Sequence, residues 1–221
     1  MSRCDPLPSF AAIVVAAGKG IRAGQRVPKQ FADWRGKPVV AHSVGALVAA
    51  GADPVVVAIP RGTEMQAMTA LRDFGKVRFV TGGATRQESV AAALDSLAED
   101  APERVLIHDA ARPDLPQEVI ARLLVSLDQH PGAIPTLPVV DSLAIERDGV
   151  MAGSADRETL RRVQTPQAFR YEAIHSAHRA WQGEPTAGDD AQVLAAHGGK
   201  VALVVGSEAL RKLTFAEDFH D

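Results

Sequence analysis

The sequence predicts a doubly wound α/β fold, a mainly parallel Rossmann-like sheet with helices on both faces and a projecting β-hairpin arm. Three observations predict it. Short continuous apolar runs rich in Val and Ile recur along the 221 residues, segments of helical spacing lie between them, and one stretch breaks the alternation around an Asp-Gly pair. Uninterrupted apolar strands are those buried on both faces, and a crossover to a parallel neighbour must lay a helix back over the sheet.

Strands are expected at AAIVVAA (11–17), PVVVAI (54–59), VRFV (77–80), RVLIHD (104–109), AIPTLPVV (133–140) and KVALVV (200–205). Helices are expected at VVAHSVGALVAA (39–50), TEMQAMTALRDF (63–74), TRQESVAAALDSLAE (85–99) and PQEVIARLLVSLDQ (116–129). The departure is Ser142 to Pro166, where Asp148-Gly149 signals a tight turn between short alternating segments, the pattern of a hairpin. Such an arm packs across a subunit interface or onto its own sheet edge, and dimerisation is the expectation taken here. With no internal repeat or low-complexity linker in view, one domain is expected over 1–221, with 142–166 as its dimerisation and substrate arm.

Bulk composition narrows the partners. Apolar residues at 46% and charged residues at 23% are ordinary for a globular chain and far from the composition of disorder. A net charge of −3 argues against sequence-blind nucleic-acid binding, so any positive patch must be local and aimed at something small. The single cysteine, Cys4, rules out an internal disulfide framework and any multi-cysteine metal site. The leader MSRCDPLPS lacks the apolar centre of a signal peptide, and no apolar run approaches the roughly 20 residues that span a bilayer. A cytoplasmic protein without membrane contact is expected.

The stretch AAIVVAAGKGIRAGQRVPKQF, Ala11 to Phe31, carries the first functional signal. After Ala17 it holds three glycines and four cations and no acid. In doubly wound sheets ligands bind at the carboxyl ends of strands. Gly18 and Gly20 let backbone N–H groups approach an anion, the cations neutralise phosphate charge, and the small Ala16 and Ala17 leave room for a flat base. Two commoner nucleotide loops are excluded by spacing: G-x-x-x-x-G-K-S/T is absent, and the glycines run G-x-G-x-x-x-G, with no acid after the second strand.

Later motifs narrow this further. A-A-G-x-G-x-R-x-G followed by P-K-Q-F, then GGATRQESV (82–90), HDAARP (108–113), Asp141-Ser142, Asp156-Arg157, QTPQAF (164–169), GDDA (188–191) and RKLT (211–214) occur in order over nearly the whole chain. Together they resemble the polyol-phosphate cytidylyltransferases, and among these the 2-C-methyl-D-erythritol 4-phosphate cytidylyltransferases of isoprenoid biosynthesis. The resemblance implies CTP and a methylerythritol phosphate as substrates, pyrophosphate and a diphosphocytidyl polyol as products, and Mg²⁺ as cofactor. The acceptor phosphate is already an anionic nucleophile, so catalysis is alignment and charge stabilisation by fixed cations.

By that resemblance Arg22, Lys29 and Lys212 are the catalytic cations, at the CTP phosphates and the transition state. Ala16, Ala17, Gly18, Gly20, Gly82, Gly83 and Ser89 would bind CTP, the 82–89 loop reading cytosine with Arg86 bracing it, while Thr85 and Glu88 form a capping box. Asp109 would hold a ribose or substrate hydroxyl, or hydrated Mg²⁺ through water. Asp109, Arg112, Asp141, Ser142, Arg157 and Thr165 would face the acceptor, Arg157 reaching it from a partner subunit. Arg112 has a second reading, pairing with Asp109 to hold the turn, and His108 reads as a packed core residue. Ser142, Ala155 and Gly188 replace the family's usual Thr, Val and Thr, and none of these changes removes a catalytic charge.

Two alternatives stay open at this point: a ribitol 5-phosphate cytidylyltransferase, and a nucleotide-sensing module without catalysis. FAEDFHD stops short of the family's terminal helix, so a missing C-terminal extension, or fusion to the pathway's cyclodiphosphate synthase as in some relatives, is also an expectation.

Overall fold

The computed structural model describes residues 7–18 and 28–219. The sequence-predicted strands form β1 (Ala11–Val15), β4 (Val55–Ile59), β5 (Val77–Thr81), β6 (Arg104–Asp109), β7 (Gly132–Pro138) and β12 (Val201–Val205). The sequence-predicted helices form α1 (Val39–Ala49), α2 (Glu64–Ala70), α3 (Arg86–Asp95) and α4 (Gln117–Ser126), each shorter than its apolar pattern. A small ribbon of β2 (Asp33–Trp34) and β3 (Lys37–Pro38) turns on Arg35 and Gly36, both at positive φ.

The sheet runs β5, β4, β1, β6, then β11 (Gln167–Arg170) with β10 (Arg161–Val163), then β7, with β12 beyond it. Strands β10 and β11 pair antiparallel to β7 at successive points and act as one interrupted strand, and β11 is likewise antiparallel to β6 on its other side; the remaining pairings in the sheet are parallel. The chain leaves β1 for β4 and β5, then returns to the other side of β1 at β6. The crevice beyond Val15 and Asp109 is therefore a topological switch point, the place where such sheets bind ligands.

Alternation along β1 shows why both faces are covered. Ala12 and Val14 join one core cluster with Val40, Val44 and Leu47 of α1 and Ile120, Leu123 and Leu124 of α4. Ala11 and Ile13 join the other, with Val90 and Leu94 of α3, Ile174 of α5 (Tyr171–Ala180) and Val193 of α6 (Asp190–Ala196). The pleat sends successive side chains to opposite faces, so a strand buried on both must be apolar throughout.

The 142–166 segment divides in two. Residues Leu143–Arg147 (β8) and Val150–Ala155 (β9) form the expected hairpin, with Asp148 at φ 52° and Gly149 at φ 79° between the paired Arg147 and Val150, the geometry of a type I′ turn. Beyond it, β10 returns to the main sheet, so the arm proper is β8–β9. The hairpin displays Ile145, Val150 and Met151, each half or more exposed. No helix among the described residues is long and apolar enough to cross a membrane.

Leu123 is wholly buried between α4 and the sheet. Leu123→Ala is expected to destabilise the fold by about 2–5 kcal/mol through lost burial and a residual cavity, read as a lowered urea midpoint with unchanged m-value. A midpoint within experimental scatter of the parent would contradict this packing.

Candidate active site

The switch-point crevice opens into a cavity of about 240 Å³ lined by the end of β1 (Val15 to Gly18), Lys29 and Gln30, the 83–89 loop, Asp109 to Ala111, and Lys212. A larger, shallower depression of about 550 Å³ lies at the opposite end of the sheet, around Phe10, Pro54, Val77 and Glu103. It sits at the amino ends of β1, β4, β5 and β6, away from the strand ends where the charged residues below converge.

Backbone closeness shapes the crevice. The Gly82 N–H donates to Ile59 O at 2.8 Å, and a Cβ on Gly82 would stand 2.3 Å from Ala17 Cβ and 2.7 Å from Ser89 Oγ. On Gly83 it would stand 2.3 Å from Glu88 Cβ. The predicted capping box is present, Glu88 N–H donating to Thr85 Oγ1 while Thr85 N–H donates to the Glu88 carboxylate. The Ser89 hydroxyl closes the loop, donating to Thr85 O at 2.8 Å and accepting from Gly83 N–H at 3.1 Å. Ser89 thus shapes the pocket it lines. Across the cleft, Gln30 Nε2 donates to Gly18 O, tying the Pro-Lys-Gln-Phe motif to the first loop.

The charges meet at Asp109. Arg86 Nε, from the start of α3, donates to Asp109 Oδ1 at 3.0 Å, and Lys212 Nζ donates to Oδ2 at 2.7 Å. Burial opposes charge on this carboxylate, yet Arg86 and Lys212 beside it hold it well below the usual range. Burial likewise opposes the Arg86 charge, and Asp190 and Asp109 outweigh it and hold the guanidinium above its ordinary value. Main-chain contacts aim the segment carrying Lys212: Leu213 N–H donates to Ala111 O, Lys29 Nζ donates to Leu213 O at 3.2 Å, and Arg112 Nη1 donates to Leu210 O.

Beneath the site lies a hydrogen-bonded relay. His108 Nε2 lies 2.9 Å from Arg112 O, which can only accept, so this nitrogen carries the proton and Nδ1 accepts from the Thr165 hydroxyl at 3.2 Å. Thr165 Oγ1 in turn accepts the Asp109 N–H at 3.0 Å. Burial pushes the imidazole down to about 4.

Of the sequence-predicted residues, the structure brings Ala16, Ala17, Gly18, Gly83, Ser89, Asp109, Lys29 and Lys212 to one cavity, with Gly82 packed directly behind it. Gly20 and Arg22 lie outside the described residues. Thr165 is buried and its hydroxyl is committed to His108 and Asp109, so it underpins the site instead of lining it. Arg112 also lies outside the cavity lining, its guanidinium bound to the Leu210 carbonyl. Asp141, Ser142 and Arg157 flank the hairpin at its base and do not line the cavity; Arg157 Nη1 donates to Val140 O at 2.8 Å. Sequence reasoning missed Gln167, His178 and the task of Asp190, whose Oδ2 is 2.8 Å from Arg86 Nη2.

Among the described residues no group of three His, Cys, Asp or Glu side chains could hold a metal by itself. Asp109 offers a single carboxylate with a cation already on each oxygen. A carboxylate so paired could meet a divalent ion only through that ion's water shell, and it does not fit an all-protein metal cage.

A switch-point cleft with glycine-rich walls and converging cations is suited to a phosphorylated ligand. The family model described as IspD: 2-C-methyl-D-erythritol 4-phosphate cytidylyltransferase matches residues 10–221, and the chain belongs to that family. It is 67% identical over 219 residues to a bifunctional enzyme IspD/IspF of Erythrobacter litoralis, covering 99% of this chain and 57% of that protein. The chain thus spans little more than half the length of that relative. It is 47% identical over 212 residues to a 2-C-methyl-D-erythritol 4-phosphate cytidylyltransferase of Cereibacter sphaeroides, covering 95% of this chain and 93% of the other. The crystal structure of the enzyme of that name from Thermus thermophilus superposes with a TM-score of 0.79 at 32% identity over 96% of both chains.

Two expectations follow from this geometry. Gly82→Ala must displace Ala17 and Ser89, so affinity for a nucleotide, probed with CTP by calorimetry, is expected to fall about tenfold or more, as misplacing a positioning group by about an ångström does; unchanged affinity would contradict the contact. The second concerns acid. His108 is neutral when folded down to about 4, against 6.5 ordinarily, so between these values the unfolded chain binds a proton that the folded chain does not. Its contribution, about 3 kcal/mol at most, is complete above pH 6.5 and is lost as pH falls toward 4. His108→Gln is expected to flatten stability against pH across that window in urea titrations.

Proposed function

We propose that this chain transfers the cytidylyl group of CTP to 2-C-methyl-D-erythritol 4-phosphate, releasing pyrophosphate. The observation that carries the proposal is the convergence of Lys29 and Lys212, from opposite ends of the chain, on a cavity walled by Ala16 to Gly18 and the 83–89 loop. Membership of the family and the matching names of relatives that this chain covers almost fully support the choice of substrates.

In this reading an oxygen of the acceptor phosphate attacks the α-phosphorus of CTP. A new P–O bond forms, the bond from the α-phosphorus to the bridging oxygen breaks, and the electron pair leaves with pyrophosphate. No proton need move in the bond-making step. Lys212, aimed by the main-chain contacts on either side of it, and Lys29 stabilise charge on the crowded phosphorus, with Arg22 assigned to the same task by its motif. Gly18 and the 82–89 loop hold the nucleotide by backbone groups, and Asp109 orients Lys212. Mg²⁺ would be held by Asp109 through water and by the triphosphate, supplying neutralisation of phosphate charge when bound.

Acceptor recognition is assigned to Asp141, Ser142 and Arg157 at the base of the arm. Since these do not line the cavity of their own chain, and the hairpin displays Ile145, Val150 and Met151, we assign the arm to a homodimer in which it reaches the partner's cleft. The absence of a long apolar helix among the described residues is compatible with a cytoplasmic site of action.

The test is pyrophosphate release with CTP and either 2-C-methyl-D-erythritol 4-phosphate or ribitol 5-phosphate, repeated with Lys29→Ala. Turnover is expected with the first acceptor, and a drop of about a hundredfold or more in kcat for the variant with its fold intact. Preferential use of ribitol 5-phosphate would overturn the acceptor; near-normal turnover by Lys29→Ala would overturn that residue's role.

A further inference from the structure

Asp190 is wholly buried in the first turn of α6, does not line the cavity, and has no task in the chemistry just described. A buried carboxylate is costly unless paired, so its partners indicate what it is for. Arg86 stands between two acids, its Nε 3.0 Å from Asp109 Oδ1 and its Nη2 2.8 Å from Asp190 Oδ2. Lys212 Nζ occupies the second oxygen of Asp109 at 2.7 Å. The two oxygens of Asp109 are thus divided between two cations. A guanidinium is a planar fork that grips a carboxylate through two parallel bonds when nothing diverts it. Here Asp190 diverts it.

We infer that Asp190 is a positioning residue of the nucleotide cleft: by drawing Nη2 of Arg86 away from Asp109, it reserves Asp109 Oδ2 for Lys212. Asp190 is itself held in register with the site. The Gln167 side-chain carbonyl accepts the N–H groups of Asp190 at 3.1 Å and Ala191 at 3.0 Å, and Gln167 on β11 stands opposite Ile107 of β6, two residues before Asp109. His178 Nε2 lies 3.3 Å from Asp190 Oδ1, so a different partner takes each carboxylate oxygen and Oδ2 faces Arg86. The Gln87 side chain accepts the Ala187 N–H, which docks the approach to α6 against α3 beside Arg86. Without the Asp190 charge, the Arg86 fork closes on both Asp109 oxygens and Lys212 loses its anchor. The loss then falls on the step that uses Lys212, while the loops that capture the nucleotide are untouched.

The inference deepens the cytidylyltransferase reading and rests on it for its kinetic consequence, so the experiment has one arm that does not depend on turnover. The crystal structure of Asp190→Asn is expected to show Arg86 bidentate on Asp109 and Lys212 displaced; a retained contact between Lys212 and Asp109 overturns the inference whatever the enzyme's substrate. If wild type makes pyrophosphate, Asp190→Asn is expected to lower kcat about ten- to a hundredfold with the CTP KM within about threefold, the signature of an interaction felt in the transition state. Asp190→Glu, which keeps the charge, is expected to recover most of that loss. A purely structural role would instead lower the active fraction with kcat per folded molecule unchanged, and that result also overturns the inference. Should Asp190→Asn not fold, the charge-balanced Arg86→Met/Asp190→Asn variant decides: with no fork to compete, the contact between Lys212 and Asp109 must persist, and its loss counts against the inference.

Discussion

One buried carboxylate holds the functional end of this molecule together. Asp109 closes β6 at the switch point, nearly withdrawn from water, and a charge there is tolerable only if cations meet it closely. Arg86 comes from 23 residues upstream and Lys212 from 103 downstream. Each cation is brought in by a different element, α3 for one and the segment after β12 for the other. The acid therefore acts as a point of assembly: the placement of both cations around the cleft is fixed by a group that is itself an anion.

The fold makes that meeting possible by putting loops where strands end in parallel. The loops after β1, β5 and β6 open on the same edge of the sheet, and the glycines at 82 and 83 let the second approach the first more closely than any side chain would allow. Lys212 needs a further device, because it follows an edge strand lying beyond β7. The Gln164 side chain pairs with both backbone groups of Ser207, and the carbonyls of Leu210 and Leu213 are taken by Arg112 and Lys29. The peptide around Lys212 is thus fixed from both sides, so the direction of the ammonium is set by main chain and not by the lysine's own flexible stem.

Much of this was legible in the sequence, and the divisions have physical causes. Strands buried on both faces announce themselves as runs of Val and Ile, and the first loop announces phosphate by what it lacks, an acid. The capping box at Thr85 and the turn at Asp148-Gly149 are local and were readable as such. Strand β11 and helices α5 and α6 were not: β11 and α6 have only four and seven residues, and the face that α5 buries includes Tyr171 and His178 beside Ile174 and Ala177, so a count of aliphatic residues passes over it. Thr165 and Arg112 were expected at a ligand and instead support the framework, because a hydroxyl or guanidinium near a site satisfies either role and only tertiary neighbours choose between them. Asp190 and Arg86 are 104 residues apart in the numbering, and no spacing rule relates an acid on α6 to a cation on α3.

The proposed reaction brings two polyanions to a protein of net charge −3, an electrostatic problem that bare cations would solve badly. An unpaired ammonium in a partly desolvated cleft is destabilising before the ligand arrives. Here Lys212 already has a partner in Asp109, so its charge is balanced before any ligand enters the cleft. Arg86 balances Asp109 on its other oxygen, and Asp190, with His178 beside it, holds the far side of Arg86. The row of alternating charges running from Lys212 through Asp109 and Arg86 to Asp190 thus holds its foremost cation at the cleft by the balance of the charges behind it.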